Sequence, residues 1–314
     1  MDKLIVSSSP HMNGKRTTQN IMMDVIIALL PSVIAGIVFF GYRAAILVAV
    51  CVVCCMLCEY VCRRLMKREQ TVKDLSAVVT GMLLGMNLPA SINPLFAVFG
   101  CIAAIAVIKQ MFGGIGQNFV NPALTARIIL LNSFPGKMTA WTQAFTYNIG
   151  PDSVTTATPL ASYAAGQEVP GYMELFLGNT AGCLGETSVL ALLIGGIYLI
   201  ARGVIKPVIP VVYLGTAAVL SFALGRDPLF DLMSGGLMIG ALFMATDYTT
   251  SPMYIKGKAV FAFGCGVLTM LIREYGSLQE GVSYAIVIMN ILVPLIERYI
   301  KPRPFGRGRK RSEG

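Results

Sequence analysis

The run Asp152-Ser153-Val154-Thr155-Thr156-Ala157-Thr158-Pro159 ends in a hydroxyl that is open to chemistry. Ala157 leaves the Thr158 oxygen uncrowded. Pro159, with its fixed φ and missing N–H, suits the first position of a helix that Thr158 would cap. If that hydroxyl carried a phosphate ester, the free N–H groups of the helix start would form an anion site without help from lysine or arginine. An ordinary capped loop accounts for the same residues, so the surroundings have to decide. A second set of candidates is ionisable. Asp24, Glu59, Arg127, Glu186, Asp231 and Asp247 fall within or at the ends of apolar segments, where a charge is costly unless it is paired or faces water. Asp24 and Glu59 read as residues near helix ends that snorkel or pair with Arg63. Arg127 could neutralise a phosphate near Thr158 or pair with an acid from another helix. Asn121-Pro122 interrupts an apolar segment, freeing carbonyls that could coordinate a cation or simply bend the chain.

The elements that position these residues are membrane helices. Hydrophobic residues make up 55% of the 314 and charged residues 13%, about half the charge of a soluble domain, where about 25% is usual. Mean hydropathy is +0.69. The first twenty residues are polar, with Lys3, Lys15 and Arg16, and show no short apolar core with a cleavage site. The expectation is therefore that no signal peptide is removed and that the first apolar helix directs insertion. Hydropathy places helices near 22–40, 44–62, 75–88, 94–111, 118–133, 183–201, 207–224, 230–246, 258–273 and 281–299, ten in two sets of five. The segments 75–88, 118–133 and 230–246 are shorter than the roughly 20 residues a bilayer requires, a mark of broken helices at a binding site.

The third helix of each set carries the same spacing, Gly81-Met-Leu-Leu-Gly85 and Gly236-Leu-Met-Ile-Gly240, and each follows an acid, Asp74 or Asp231. Five is odd, so the two sets cross in opposite directions, as an inverted repeat. The fold expected is an all-α polytopic membrane protein of about ten transmembrane helices. Its parts are an N-terminal arm (1–21), a first five-helix repeat (22–133), a long polar loop holding the Thr158 motif (134–182), a second five-helix repeat (183–300) and a basic tail (301–314). Glu186 and Asp247 would lie at helix ends of opposite halves, with a role in an ion route or as caps.

Charge sets the orientation. Of the 25 Lys and Arg, only Arg43, Arg127, Lys137, Arg226 and Arg273 fall outside the segments that share a side with the N-terminus. The positive-inside rule then puts both termini in the cytoplasm and the Thr158 loop outside. The net charge of +9 is thus a topology signal. The terminal Arg-Gly-Arg-Lys-Arg can touch anionic lipid, and no soluble basic fold is present for nucleic acid. Gly113-Gly-Ile-Gly116 lies between apolar segments and lacks the strand–turn–helix setting of a dinucleotide site, so it reads as a turn. Cys51, Cys55, Cys58 and Cys62, with Cys54 beside them, form one stripe about 16 Å long on the second helix. A stripe cannot surround an iron–sulfur cluster, and small packing residues are the plainer identity. Cys101, Cys183 and Cys265 suggest no disulfide, and the single histidine, His11, sits on the polar arm. No metal site is expected.

Four segments carry a resemblance: Asp152–Leu160, Gly182-Cys-Leu-Gly-Glu186-Thr-Ser188, Asn118-Phe-Val-Asn121-Pro-Ala123 and Met244-Ala-Thr-Asp247-Tyr-Thr-Thr-Ser-Pro252. Over roughly 20–300 the chain resembles the RnfD family of the Rnf electron-transport complex, related to the NqrB component of the sodium-translocating NADH:quinone reductase. The latter carries an extended N-terminal region and fits less well. The resemblance implies FMN esterified through its phosphate to Thr158 by a flavin transferase, with Asp152, Thr155 and Ala157 at the other motif positions. It implies a bacterial inner-membrane component that carries electrons between reduced ferredoxin and NAD within a larger complex, helping to move Na+ or H+. It would have no NAD or ferredoxin site of its own and would need the other Rnf subunits as partners. It leaves open a second, non-covalent flavin. Arg127 and Glu186 become candidates beside the cofactor, and Asp247, Glu186 and Asn121 candidates for the ion path. A channel, a secondary transporter or a membrane scaffold would share the repeat and the buried acids without needing the Thr158 motif. The orientation is directly testable. Fusions that report cytoplasmic exposure should be active at residue 314, and fusions that report external exposure should be active in the loop at 165–170.

Overall fold

A backbone inside a bilayer must satisfy its own hydrogen bonds, and all regular structure is helical among the residues described in the computed structural model, 17–145, 156–276 and 281–300. The first half comprises α1 (Thr18–Phe40), α2 (Tyr42–Leu65), α3 (Ser76–Met86), α4 (Pro94–Ile102), which runs on as a π-helical stretch over Ala103–Gln110, and α5 (Pro122–Ser133). Three short helices follow in the connection: α6 (Pro135–Met138), α7 (Pro159–Ala164) and α8 (Tyr172–Leu177). The second half comprises α9 (Val189–Ala201), α10 (Val208–Ala223), α11 (Pro228–Met233), α12 (Leu237–Ile239), which continues as a π-helical stretch over Gly240–Met244, α13 (Ile255–Tyr275) and α14 (Val282–Tyr299). α1, α2, α13 and α14 are each long and apolar enough to cross a membrane alone.

Local chemistry explains the starts. α4, α5, α7 and α11 each begin at a polar–proline pair, Asn93-Pro94, Asn121-Pro122, Thr158-Pro159 and Asp227-Pro228. In each, the polar side chain accepts from a backbone N–H of the first turn, and the proline occupies a position whose own N–H has no partner in the helix. The same device corrects the expected segment 118–133, because α5 starts only at Pro122. The segment 183–201 starts late as well, at Val189, because 183–188 is a turn that bonds back to the end of α3: Gly185 N donates to Met86 O at 2.7 Å. The segment 230–246 is two pieces. Gly235, at φ +65°, turns the chain between α11 and α12, and a Cβ there would lie 2.7 Å from Leu160 Cδ1.

The neighbour pattern repeats between halves. α2 packs on α3 and α4 as α10 packs on α11 and α13, and α4 meets α5 as α13 meets α14. The contacts of α1 with α9 and of α5 with α14 join the two halves. The two Gly-x-x-x-Gly segments, however, do different jobs. A Cβ at Gly81 would come within 2.7 Å of Val52 Cα, so this position lets α3 lie against the α2 backbone. At Gly236 and Gly240 the close neighbours are Glu186 Oε1 and Val282 Cγ1, so the second segment makes room for the turn before α9 and for α14. Cys51, Cys55 and Cys101 are fully buried in this core. Gly113, Gly114 and Gly116 all take positive φ in the turn after α4. Because the α2–α3 contact is backbone to backbone, Gly81→Val should cost about 1–3 kcal/mol or more. Gly215→Val, where a Cβ meets nothing within 4 Å, should cost little, and thermal unfolding of the two variants in detergent measures the difference.

Candidate functional site

Thr158 lies where the connection returns to the bundle. Its Oγ1 accepts from Ala161 N at 3.2 Å, the N-cap bond expected of it, and the residue is 8% exposed, whereas Ala157 beside it is exposed. The hydroxyl proton has no acceptor among the described residues, so an ester at this oxygen would forfeit no hydrogen bond. Asp152 and Thr155 lie outside the described residues. Thr156 N donates to Trp141 O at 3.1 Å, and Trp141 packs with Ala181 and Cys183, which ties the motif to the bundle.

The helix that Thr158 caps falls short of the expected anion site. α7 has six residues, too few turns to sum a dipole, and one of its free donors is already given to Thr158 itself. It docks through Leu160, which joins Leu175 and Phe230 in a small cluster separate from the main core, flanked by Tyr163 and Met233. Tyr163 stacks on Phe230 at 5.2 Å, and the Arg226 guanidinium lies 4.6 Å from the centre of the Tyr163 ring. Positive charge at this end comes from side chains. Arg226 binds Asp231 through two contacts of 2.8 Å and Glu274 at 3.2 Å. Arg273, buried, donates to Asp231 O at 2.6 Å and Ser234 O at 3.0 Å. Ser221 Oγ completes the Asp231 shell at 2.6 Å. A cavity of about 10 Å³ is lined by Thr158, Thr180, Glu186, Thr187, Ser234 and Gly235. That is space for one water, so a flavin ring on Thr158 has to lie outside it.

Arg127 sits one layer deeper. Its Nη1 donates to Asn87 Oδ1 and Ser283 Oγ, both at 3.2 Å, and its Nη2 to Cys183 Sγ at 3.3 Å and Glu186 Oε1 at 3.4 Å. The guanidinium thus joins α5 to the end of α3, to the turn before α9 and to the start of α14. Of the two expected roles the structure shows the pairing with an acid, Glu186, while Arg127 does not line the cavity at Thr158.

A second hub occupies the other end of the bundle. Asn121 Oδ1 accepts from Ala123 N and Leu124 N, and its Nδ2 donates to Met244 O at 3.3 Å. Asn290 of α14, with its amide turned to satisfy both ends, accepts from Asn121 N and donates to Thr250 O, each at 3.1 Å. Asp247 follows the second π-helical stretch and accepts from Thr249 N at 3.1 Å, from Thr249 Oγ1 at 2.9 Å and from Thr250 Oγ1 at 3.4 Å. Asn118 Nδ2 reaches Thr249 Oγ1 at 3.2 Å. A cavity of about 100 Å³ opens here between the starts of α1 and α3 and the loops that carry Asn118, Asn121 and Asp247. Ile21 lines it, while Phe39, near the other end of α1, touches the chain at Gly178 close to the Thr158 cavity. The two sites are therefore about 27 Å apart along α1 at 1.5 Å per residue. Glu186 and Asp247 lie at these opposite ends, but both in the second half of the chain.

The expected Arg63 pairing does not form for either acid. Asp24 meets Arg202 at 3.2 Å and Tyr198, across the α1–α9 contact, while Arg63 Nη1 turns to Glu69 O. Glu59, fully buried, meets Lys109 at 2.9 Å. Lys109 counts in the sequence as one of the charges on the N-terminal side, and nothing in its spacing announces that the π-helical stretch turns it inward.

The sequence profile of the NQR2, RnfD, RnfE family matches residues 5–306. The chain belongs to that family. It is 49% identical to the D component of the Na+-translocating ferredoxin:NAD+ oxidoreductase complex of Acetobacterium woodii, over 96% of this chain and 95% of the relative. It is 41% identical to the D component of the proton-translocating ferredoxin:NAD+ oxidoreductase complex of Clostridium ljungdahlii, over 97% and 96%. It is 37% identical to the D component of the ion-translocating oxidoreductase complex of Stutzerimonas stutzeri, over 93% of each.

Because Arg127 and Glu186 are both buried, Arg127→Met takes a paired cation away from a buried carboxylate. It should cost about 3–5 kcal/mol, and the double variant Arg127→Met/Glu186→Gln should recover part of that loss. The unfolding temperature of the purified chain in detergent reads both.

Proposed function

We propose that this chain is the RnfD component of an ion-translocating ferredoxin:NAD+ oxidoreductase, carrying electrons through FMN esterified to Thr158 and contributing to the route of Na+ or H+. The observation that carries the reading is the state of the Thr158 oxygen. It ends the motif, caps α7, and among the described residues accepts one bond and gives none, beside an exposed Ala157. The relatives named as components of such complexes support the setting. FMN, when bound, would accept electrons singly or in pairs. The protein's part is to fix the tether, through the α7 cap and the docking of Leu160, and to balance charge near it through Arg226 and Arg273. Asp152, Thr155 and Ala157 would be read by the flavin transferase together with Thr158. Glu186 and Arg127 brace the turn behind the tether.

In this reading both termini face the cytoplasm and the Thr158 loop faces outward, in a bacterial inner membrane, with lipid against the exposed faces of α1, α2, α13 and α14. The other Rnf subunits supply the ferredoxin and NAD chemistry. A second, non-covalent flavin would need an apolar cavity larger than the one of about 100 Å³ near Asn121. Asp247 and Asn121 stand at that end, and Glu186 at the other, as the polar groups of an ion path.

The test is chemical. Co-expressed with a flavin transferase, the chain should fluoresce on a denaturing gel and gain the mass of an FMN ester. Thr158→Ala should lose both while retaining wild-type thermal stability to within about 1 kcal/mol, the size of one lost cap. A chain with no adduct beside a transferase proven on another acceptor would sink the redox reading.

A further inference from the structure

The cavity near Asn121 is lined by two charged side chains, Lys109 and Asp247. Lys109 is 3% exposed, and its ammonium gives one proton to Glu59 Oε2 at 2.9 Å and one to Ser76 Oγ at 2.7 Å. The third has no acceptor among the described residues. Glu59 is fully buried, and its other oxygen accepts from Thr71 Oγ1 at 2.7 Å. Asp247 receives only the backbone and hydroxyl donors of Thr249 and Thr250, and no described cation lies within ion-pair reach of it. The buried Arg63, one turn along α2 from Glu59, spends a donor on Glu69 O, so with Lys109 held by Glu59 no described cation is paired with Asp247 itself, in a place where uncompensated charge is expensive. Lysine is the side chain able to change partner here, since its charge is a point at the end of a flexible four-carbon stem with rotatable donors.

We propose that Lys109 is a built-in competitor for the transported ion. The cavity takes one monovalent cation, Na+ or H+, at Asp247 while Lys109 holds Glu59, and as that cation leaves, Lys109 transfers its contact from Glu59 to Asp247. For Na+ only coordinating contacts change; for H+ the Asp247 O–H bond breaks, the proton passes to water, and the Lys109 ammonium becomes the counter-charge of the carboxylate. One mobile cation replaces another at a carboxylate, and the carboxylates never stand without a counter-charge at the same time. The proposal rests on the ion-translocating reading above and gives it a positioning residue that pairs with the ion-binding acid by turns.

The experiment uses the complete complex in proteoliposomes, recording membrane potential and NADH formation from reduced ferredoxin across a range of Na+ concentration and pH. Glu59→Gln leaves Asp247 as the only carboxylate partner for Lys109. The apparent affinity for the coupling cation should fall by about tenfold, in the range of coupling between neighbouring sites. The shift appears in Na+ concentration if sodium is moved and in pH if protons are. Adding Lys109→Gln to that variant should restore affinity to within about threefold of wild type, with a coupling of the same class now removed, while the potential generated per NADH falls. Equal weakening in the single and double variants would overturn the proposal and make Lys109–Glu59 a structural pair. Should Glu59→Gln fail to assemble, a second cycle decides. Lys109→Gln should tighten cation dependence in the wild-type background and change nothing with Asp247→Asn, and an identical effect in both backgrounds would overturn the proposal. Flavin fluorescence of the denatured chain is read on the same samples. Its absence from the wild type would defeat the flavin assignment, whereas the Lys109 proposal stands or falls on the cation shift.

Discussion

Backbone that leaves its helix at membrane depth has to find hydrogen bonds within the protein, and this constraint organises both ends of the bundle. α3 stops at Met86 and the second π-helical stretch at Met244, each inside the bundle. At each stop a side chain from the fifth helix of one half holds the loose chain: Arg127 grips Asn87 and the turn at Cys183–Glu186, and Asn290 grips Thr250 and Asn121. The positions correspond under the repeat, yet the chemistry differs. Arginine brings a charge and therefore requires Glu186. Asparagine is neutral, and the charge at its end resides instead in Asp247, Lys109 and Glu59. The two ends of the bundle thus carry unlike electrostatics.

The fold was legible in the sequence wherever its cause is local. Apolar length located most of the helical segments, and the Thr158-Pro159 pair gave the start of α7, whereas Asn121-Pro122, read as an interruption, marks the start of α5. The second Gly-x-x-x-Gly misled because small residues look the same whether they admit a backbone or a glutamate side chain. The late start of α9 was hidden for a different reason: Cys183–Ser188 is held out of the helix by α3, more than ninety residues away in sequence.

The site was legible in part. Thr158 was readable because a cap, a proline and a motif coincide in one short run, and the structure places it as that cap. The anion-binding helix start was not borne out in form, because sequence gives no measure of how soon α7 ends. Arg127 and Glu186 were readable as costly charges needing partners, but not as partners of each other. Lys109 and Glu59 were obscured by their positions near helix ends, where a lysine or glutamate normally reaches water. Only the π-helical turn of 103–110, a tertiary matter, carries Lys109 inside.

On the proposed reading, the burial of Thr158 also sets an order of events in biogenesis. With α7 docked through Leu160, the hydroxyl faces a cavity that admits a water and little else, so an enzyme delivering FMN would have to meet the loop while α7 is still loose. The satellite cluster of Leu160, Leu175 and Phe230 is separate from the main core, and it can therefore close last, after the bundle has formed. Once closed, it keeps bulk water and hydrolases from the new phosphoester. A small apolar latch would thereby convert a reversible docking step into long-term retention of the proposed cofactor.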